Sequence, residues 1–219
     1  MITTIYKGFA QSATMSPKNA KMILRHSLRD KIPPNETGND VLLTREGEVM
    51  AEHFGAHCNF SIARIHTSVI ERCIQTANLF TKGYEQAKGK TLEIIPTNVL
   101  TDSYIYDLEK AVELFKRQSP HSIITAFLRG EDLPGMRGVT ESMKTLFSYI
   151  FADKTCDDME IFITHDTFLI AIVCYCHQLQ PQLNDFNWPY MLEGAFLYLQ
   201  DNHIHCIFRG ILKSIPFDF

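Results

Sequence analysis

Three short stretches carry side chains suited to holding and moving an anionic group. In Leu24-Arg25-His26-Ser27-Leu28-Arg29, one histidine stands between two arginines directly behind the apolar run Met22-Ile23-Leu24. In Ser68-Val69-Ile70-Glu71-Arg72, an arginine falls on what reads as the first turn of a helix. Thr164-His165-Asp166-Thr167 places a histidine and a carboxylate side by side behind Ile161-Phe162-Ile163. Arginine forks match phosphate oxygens two at a time and stay charged, and a neutral imidazole is a good nucleophile. If the anion is a phosphoryl group, His26 is the atom set to accept it. Taken singly, Arg72 reads as a solvated arginine, His26 as a core histidine and Asp166 as a helix cap. Together they put like charge at three strand ends, which is costly to bury unless an anion balances it.

The elements that must position these residues alternate. Lys21 to Arg25 reads as a buried strand, and residues 30–40 as a loop by their proline, glycine and asparagine content. Thr44 reads as the N-cap of a helix whose inner side is Val49, Met50, His53 and Phe54, stopping at Gly55. Ile62 to Thr67 is a strand, followed by a capping box of Ser68 and Glu71 and a helix that fades at Lys82-Gly83. Leu92 to Pro96 is a third strand, and residues 97–155 are mainly helical. Met159 to Thr164 is the most apolar strand, and a helix buried on all sides follows from Phe168. Asp201-Asn202, between Ala195–Gln200 and His203–Phe208, signals a hairpin. Strands separated by helices predict an α/β fold, three layers with a mostly parallel central sheet. In such a sheet all three corners lie at the carboxyl ends of strands, where ligands bind.

The chain has 219 residues, enough for one domain with a full core, and residues 1–19 read as a loose lead-in. Its net charge of -4 argues against a nucleic-acid partner, while a local arginine cluster still admits a small anionic substrate. The N-terminus carries no long apolar stretch of a secretory signal, and the apolar window from Ile161 to Cys176 is too short to span a membrane. Six cysteines without framework spacing suit reduced thiols and a cytoplasmic location. Cys174-x-Cys176-His177 has ligand types of a zinc site, but helix positions two apart face different ways. His203 and His205 read as polar strand positions, so no metal is assigned.

The same residues resemble the histidine phosphatase superfamily, the phosphoglycerate mutase and acid phosphatase group. Arg25-His26 resembles its Arg-His-Gly signature, with Ser27 where glycine is usual. Leu43-Thr44-x-x-Gly47, Ser68-x-x-x-Arg72-Cys73-x-Gln75-Thr76-Ala77, Gly138-Val139-Thr140-Glu141-Ser142 and Thr164-His165-Asp166-Thr167 are similar to further motifs, in the family's order, over about residues 20–210. The resemblance implies a single phosphoglycerate mutase-like domain over 1–219 with a small helical cap at about 97–140. The Arg-His-x-x-Arg spacing and the His-Asp pair are similar to the acid phosphatase branch, whereas the compact length is more like the mutase branch. The resemblance also implies a metal-independent phosphomonoester phosphatase without cofactor, with His26 as nucleophile and Arg25, Arg29, Arg72 and His165 holding the phosphate. Asp166 is the expected general acid by similarity to the His-Asp branch, and Asp102 the alternative. Ser27 is expected to tighten its loop or to add a hydroxyl at the phosphate.

Three other readings stand beside this one. A mutase needs a second anchor, for which Arg129 and Arg137 are the candidates. A catalytically weak member would bind phosphorylated ligands or a protein, with Ser27 as its only support. A metal-dependent His-Asp hydrolase is all-helical, whereas this pair follows a strand. Residues 30–40 and 97–140 are expected to cover the pocket.

Overall fold

The computed structural model describes residues 19–33, 36–153, 155–179, 182–184 and 187–217. The expected lead-in, apart from residue 19, and Pro34-Asn35 of the first loop lie outside these. Seven strands form one sheet in the order β3-β2-β4-β1-β5-β6-β7. β1 (Lys21–Arg25), β2 (Ile62–Ser68), β3 (Glu93–Thr97) and β4 (Met159–Thr164) run parallel. β5 (Gly194–Gln200), β6 (His203–Phe208) and β7 (Ile211–Pro216) continue the sheet as an antiparallel meander. The expected parallel sheet therefore holds for four strands. β5, which follows the last helix, lies antiparallel to β1, and the tight turns after it permit β6 and β7 only antiparallel pairing with their predecessors.

The strands' period of two splits the core into two layers. On one face Ile23, Phe162, Ala195, Leu197, Ile204 and Cys206 pack with the helices that follow β3 and β4. On the other, Met22, Leu24, Ile161, Ile163, Phe196 and Ile207 pack with α1 (Arg45–Ala56) and α2 (Glu71–Lys88). The first face carries α3 (Val99–Asp102), α4 (Leu108–Arg117), α5 (Pro120–Leu128), α6 (Val139–Ile150) and α7 (Asp166–Cys176). This is the expected three-layer arrangement. α7 is buried along nearly its whole length, as its all-apolar sequence requires. Among the described residues no helix is long and apolar enough to cross a membrane.

Local expectations fail where a tertiary contact overrides them. The helix expected to stop at Gly55 ends one residue later, at Ala56, whereas α2 runs on past Gly83; both glycines serve the contact between the helices. They lie inside α1 and α2 where the two backbones touch, and a Cβ at either would sit 1.9 Å from Phe80 O or Glu52 O. α2 instead ends at Gly89, in the left-handed conformation. Close approach also turns α1, burying Gly47, Ala51, Phe54 and Gly55 while Val49 and His53 face solvent. β7 carries no expectation from the sequence, although Arg209-Gly210, both at positive φ, makes its turn just as Asp201-Asn202 does for β5–β6.

At the amino ends of the strands lies a buried ionic cluster. Lys21 and Glu160 face each other in the β1–β4 register and form an ion pair, both almost without exposure. Arg64 Nε donates to Glu160 Oε1 at 2.5 Å, and the Arg64 guanidinium also pairs with Asp153. Lys21 Nζ donates to Asp153 O at 3.1 Å. His66 Nε2 lies 3.3 Å from Glu160 Oε1.

Candidate active site

At the carboxyl ends β1, β2 and β4 bring the three motifs together. His26 follows β1 and is buried, its backbone N donating to Thr164 O at 3.0 Å. His26 Nδ1 lies 2.8 Å from Ser27 O. A carbonyl only accepts, so Nδ1 carries the proton and Nε2 the lone pair. Arg72 Nε donates to that lone pair at 3.1 Å, and Arg72 Nη2 reaches His165 Nδ1 at 3.2 Å. One guanidinium thus spans both imidazoles, whose rings meet edge-on at 5.6 Å. Since Nδ1 of His165 accepts from Arg72, Nε2 bears its proton and donates to Ser68 Oγ at 3.0 Å. Ser68 Oγ continues to Thr101 Oγ1 at 2.8 Å.

The predicted capping role of Ser68 is therefore corrected. α2 begins at Glu71 without a side-chain cap; the Ser68 hydroxyl accepts from Ile70 N at 3.2 Å, ahead of the helix, and from His165. The other motif residues are braces between segments. Gln75 Oε1 accepts from Leu43 N at 3.0 Å, and Thr76 Oγ1 accepts from Ser27 N at 3.0 Å. Thr44 caps α1 as expected, accepting from Gly47 N. Gly47 lets the 27–28 turn sit on that helix, since a Cβ there would be 2.0 Å from Leu28 O. Ser27 is fully buried and its hydroxyl donates to Gly47 O at 2.7 Å, away from the two histidines. Of its two expected roles, the tightening of the loop is the one its geometry provides.

Arg25 pairs through Nη2 with Asp166 at 2.5 Å and donates through Nη1 to Pro189 O. Asp166 opens α7, its Oδ1 accepting from Thr167 N at 2.9 Å. Arg29 lies at the rim, with Nη1 on Asp30 O at 2.7 Å and the fields of Arg72, Asp166 and Arg25 upon it. Arg72 Nη1 rests on Gly38 O at 2.5 Å, which brings the 30–40 loop over the site as expected. A second covering segment, 187–193, is absent from the sequence reading; Pro189, Leu192 and Glu193 contact Arg25 and His26 from it. Its only signal was Trp188-Pro189 in a stretch without period.

The electrostatics follow from this crowding. Burial, then His165, Arg72 and Arg25, push the His26 imidazole well below its ordinary value. Burial and Arg72 lower His165 to about 3. Both rings are neutral near pH 7. Burial lowers Arg25 and Arg72, and burial with the neighbouring Arg72 lowers Arg29 to about 10. For Asp166, burial alone would raise the carboxyl, but Arg25, His26 and the indole N–H of Trp188 hold it far below the usual carboxylate range. Asp102, at the end of α3 beside Thr101, behaves oppositely: burial raises it against the pull of Arg137. Among these site groups, three guanidiniums face one carboxylate held ionised.

Solved structures share this fold. The open reading frame Rv3214 of Mycobacterium tuberculosis is 14% identical with a TM-score of 0.56, covering 89% of this chain and 100% of its own. A phosphoglycerate mutase from Bacillus anthracis is 14% identical at 0.57, covering 93% and 94%. A mycobacterial glucosyl-3-phosphoglycerate phosphatase is 13% identical at 0.52, covering 91% and 97%. No curated protein sequence matches the chain. The model of the histidine phosphatase superfamily, branch 1, matches residues 22–191, which include both histidines and all three arginines, and so the chain belongs to the histidine phosphatase superfamily.

Proposed function

We propose that the protein is a phosphomonoester phosphatase that works through a phosphohistidine on His26. The observation that carries this reading is the state of His26: neutral, with Nδ1–H fixed on Ser27 O and the Nε2 lone pair turned to a guanidinium. Three arginines against Asp166 leave a surplus of two positive charges, which matches the roughly -2 charge of a phosphate monoester at neutral pH. The phosphate oxygens draw the Arg72 fork away from Nε2 and free the nucleophile. The bond from Nε2 to phosphorus forms, the ester P–O bond breaks, and the leaving alkoxide takes a proton. His165 donates to a phosphoryl oxygen once its proton shifts to Nδ1, a tautomer that the Ser68–Thr101 hydroxyl pair supports by donating to Nε2.

Asp102 is the better acid of the two candidates. Its carboxyl is raised and so holds a proton to higher pH, whereas Asp166 is locked as a carboxylate by Arg25. This reverses the order expected from sequence and makes Asp166 the group that orients Arg25. In the second half, water attacks phosphorus and gives its proton to Asp102. The P–N bond breaks and its electron pair returns to Nε2. The arginines supply the positive charge, so the scheme calls on no metal. A cytoplasmic setting belongs to the proposal, on the unpatterned cysteines of the sequence.

Hydrolysis is favoured over a mutase by the commitments of the candidate second anchors. Arg137 donates to Ser103 O and Ile105 O and pairs with Glu141 at 3.3 Å, and Arg129 faces Glu131 at the surface. The test is a rapid quench with labelled aryl phosphate. Wild-type protein should carry acid-labile, alkali-stable phosphate and release inorganic phosphate, and His26→Ala should do neither. Turnover at the wild-type rate in His26→Ala refutes the reading. On an alkyl phosphate, a larger loss in Asp166→Asn than in Asp102→Asn restores Asp166 as the acid.

A further inference from the structure

The loop between α7 and β5 presses on the site from a side that the motifs do not reach. Its residues 188–193 form a strap. Pro189 O accepts from the Arg25 guanidinium, Glu193 O accepts from Arg25 N at 3.0 Å, and Leu192 N donates to His26 O at 3.4 Å. The strap thus touches the backbone or side chain of both residues at the end of β1. Leu192 is buried and sits at φ 56, a left-handed conformation that is strained for a leucine and persists only where the surroundings impose it.

The strap is tied down on its outer side as well. Arg209, in the β6–β7 turn, donates through Nε to Glu193 Oε1 at 2.8 Å and through Nη2 to Glu193 Oε2 at 2.9 Å. Nη2 also reaches Trp188 O at 3.2 Å, and the guanidinium lies 5.3 Å from the centre of the Tyr190 ring. Glu193 Oε2 closes the strap on itself by accepting from Tyr190 N at 2.8 Å. Arg209 is beyond the residues matched by the family model, and it meets none of the phosphate-facing groups directly.

We infer that Arg209 is a positioning residue: it buckles the 188–193 strap against Arg25 and His26, and through the Pro189 carbonyl it sets the direction of the Arg25 fork. The inference rests on the phosphatase reading of the pocket. An arginine suits the task because only its planar fork holds a carboxylate at two points while reaching a third acceptor. A lysine keeps the charge but not the fork.

The test is a double-mutant cycle read by calorimetric binding of orthovanadate, with thermal melting alongside. Arg209→Met should weaken orthovanadate about tenfold, since small misplacements of a positioned group far from the chemistry have effects of this order or larger. Arg209→Lys should recover only part. In an Arg25→Lys background the same Arg209→Met change should weaken binding less than about twofold, because its effect runs through Arg25. Should Arg209→Met not fold, Glu193→Gln enters the cycle in its place. Native affinity in the outer variants, or a full tenfold loss that persists in the Arg25→Lys background, overturns the inference while leaving the phosphatase reading intact. Wild-type protein that fails to bind orthovanadate overturns both.

Discussion

The two ends of the parallel sheet both bury charge, and they do so in opposite ways. At the amino end Lys21 and Arg64 meet Glu160 and Asp153, two cations against two anions, with donors and acceptors matched. At the carboxyl end Arg25, Arg29 and Arg72 meet one ionised carboxylate, Asp166, and spend spare donors on the carbonyls of Pro189, Asp30 and Gly38. The first end is closed on itself and reads as structure. The second is short of negative charge, and what it lacks has the charge of a phosphoryl group. Buried charge alone does not mark a site; buried charge without its counterpart does.

The contrast can be broken by substitution. Arg72→Met removes surplus charge and, on the proposed reading, a donor to the transferred group, so kcat/KM for a phosphomonoester should fall about 10³-fold. The melting temperature should stay within about 3 °C of wild type or rise. A collapse in melting with unchanged activity per folded molecule would put the carboxyl end in the same class as the amino end. Glu160→Ala should do the converse: it strands Lys21 and Arg64 and destabilises by about 3–5 kcal/mol in denaturant titration. Activity of the folded fraction should be retained.

Acid separates the two ends by pH. His165 is lowered to about 3 when folded, so the unfolded chain binds its proton first, and stability is lost as pH falls from about 6.5 toward 3. For Glu160, burial is outweighed by His66, Lys21 and Arg64, and its carboxyl falls to about 2; its contribution is lost only below about pH 4.5, down to 2. Denaturant titrations at pH 7, 5 and 3 should show the loss beginning in the first window, where the lowered His26 contributes as well, and a His165→Gln variant should reduce the loss in that window and leave the lower one unchanged. The smallest effect belongs to Ser27→Gly. It gives up one hydrogen bond to Gly47 O, about 1 kcal/mol, with kcat within about twofold. A large loss of rate there would bring the Ser27 hydroxyl into the chemistry.

Much of the site was legible because its parts are local. Arg25-His26, Arg72 and His165-Asp166 each sit at a corner that short-range pattern finds, and the parallel topology does the gathering. Thr44 and Asp201-Asn202 behave as their backbone chemistry dictates. What escaped depends on partners far away in sequence. Ser68 has the spacing of a helix cap, yet His165, 97 residues on, claims its hydroxyl. Asp166 and Asp102 are equal carboxylates until Arg25 settles beside one and burial raises the other. Gly83 looks like a stop because nothing in its own helix announces that the backbone of α1 is in contact. The 188–193 strap has no period, and its tie to Arg209 spans a hairpin.

β1 holds five residues, with Lys21 of one cluster at its start and the Arg25-His26 corner at its end. It lies in the middle of the sheet, between β4 and β5, and its register partner for Lys21 is Glu160. During synthesis the ribosome therefore delivers this central strand well before its two neighbours, which follow more than a hundred residues later. Until Met159 to Thr164 emerges, Met22, Ile23 and Leu24 have no sheet to enter, and a long loop must close before they gain one. Neither ionic cluster has its full set of members before then. The nascent chain passes through a stage in which the apolar run Met22-Ile23-Leu24 and the His26 corner together lack their sheet neighbours, a state prone to aggregation.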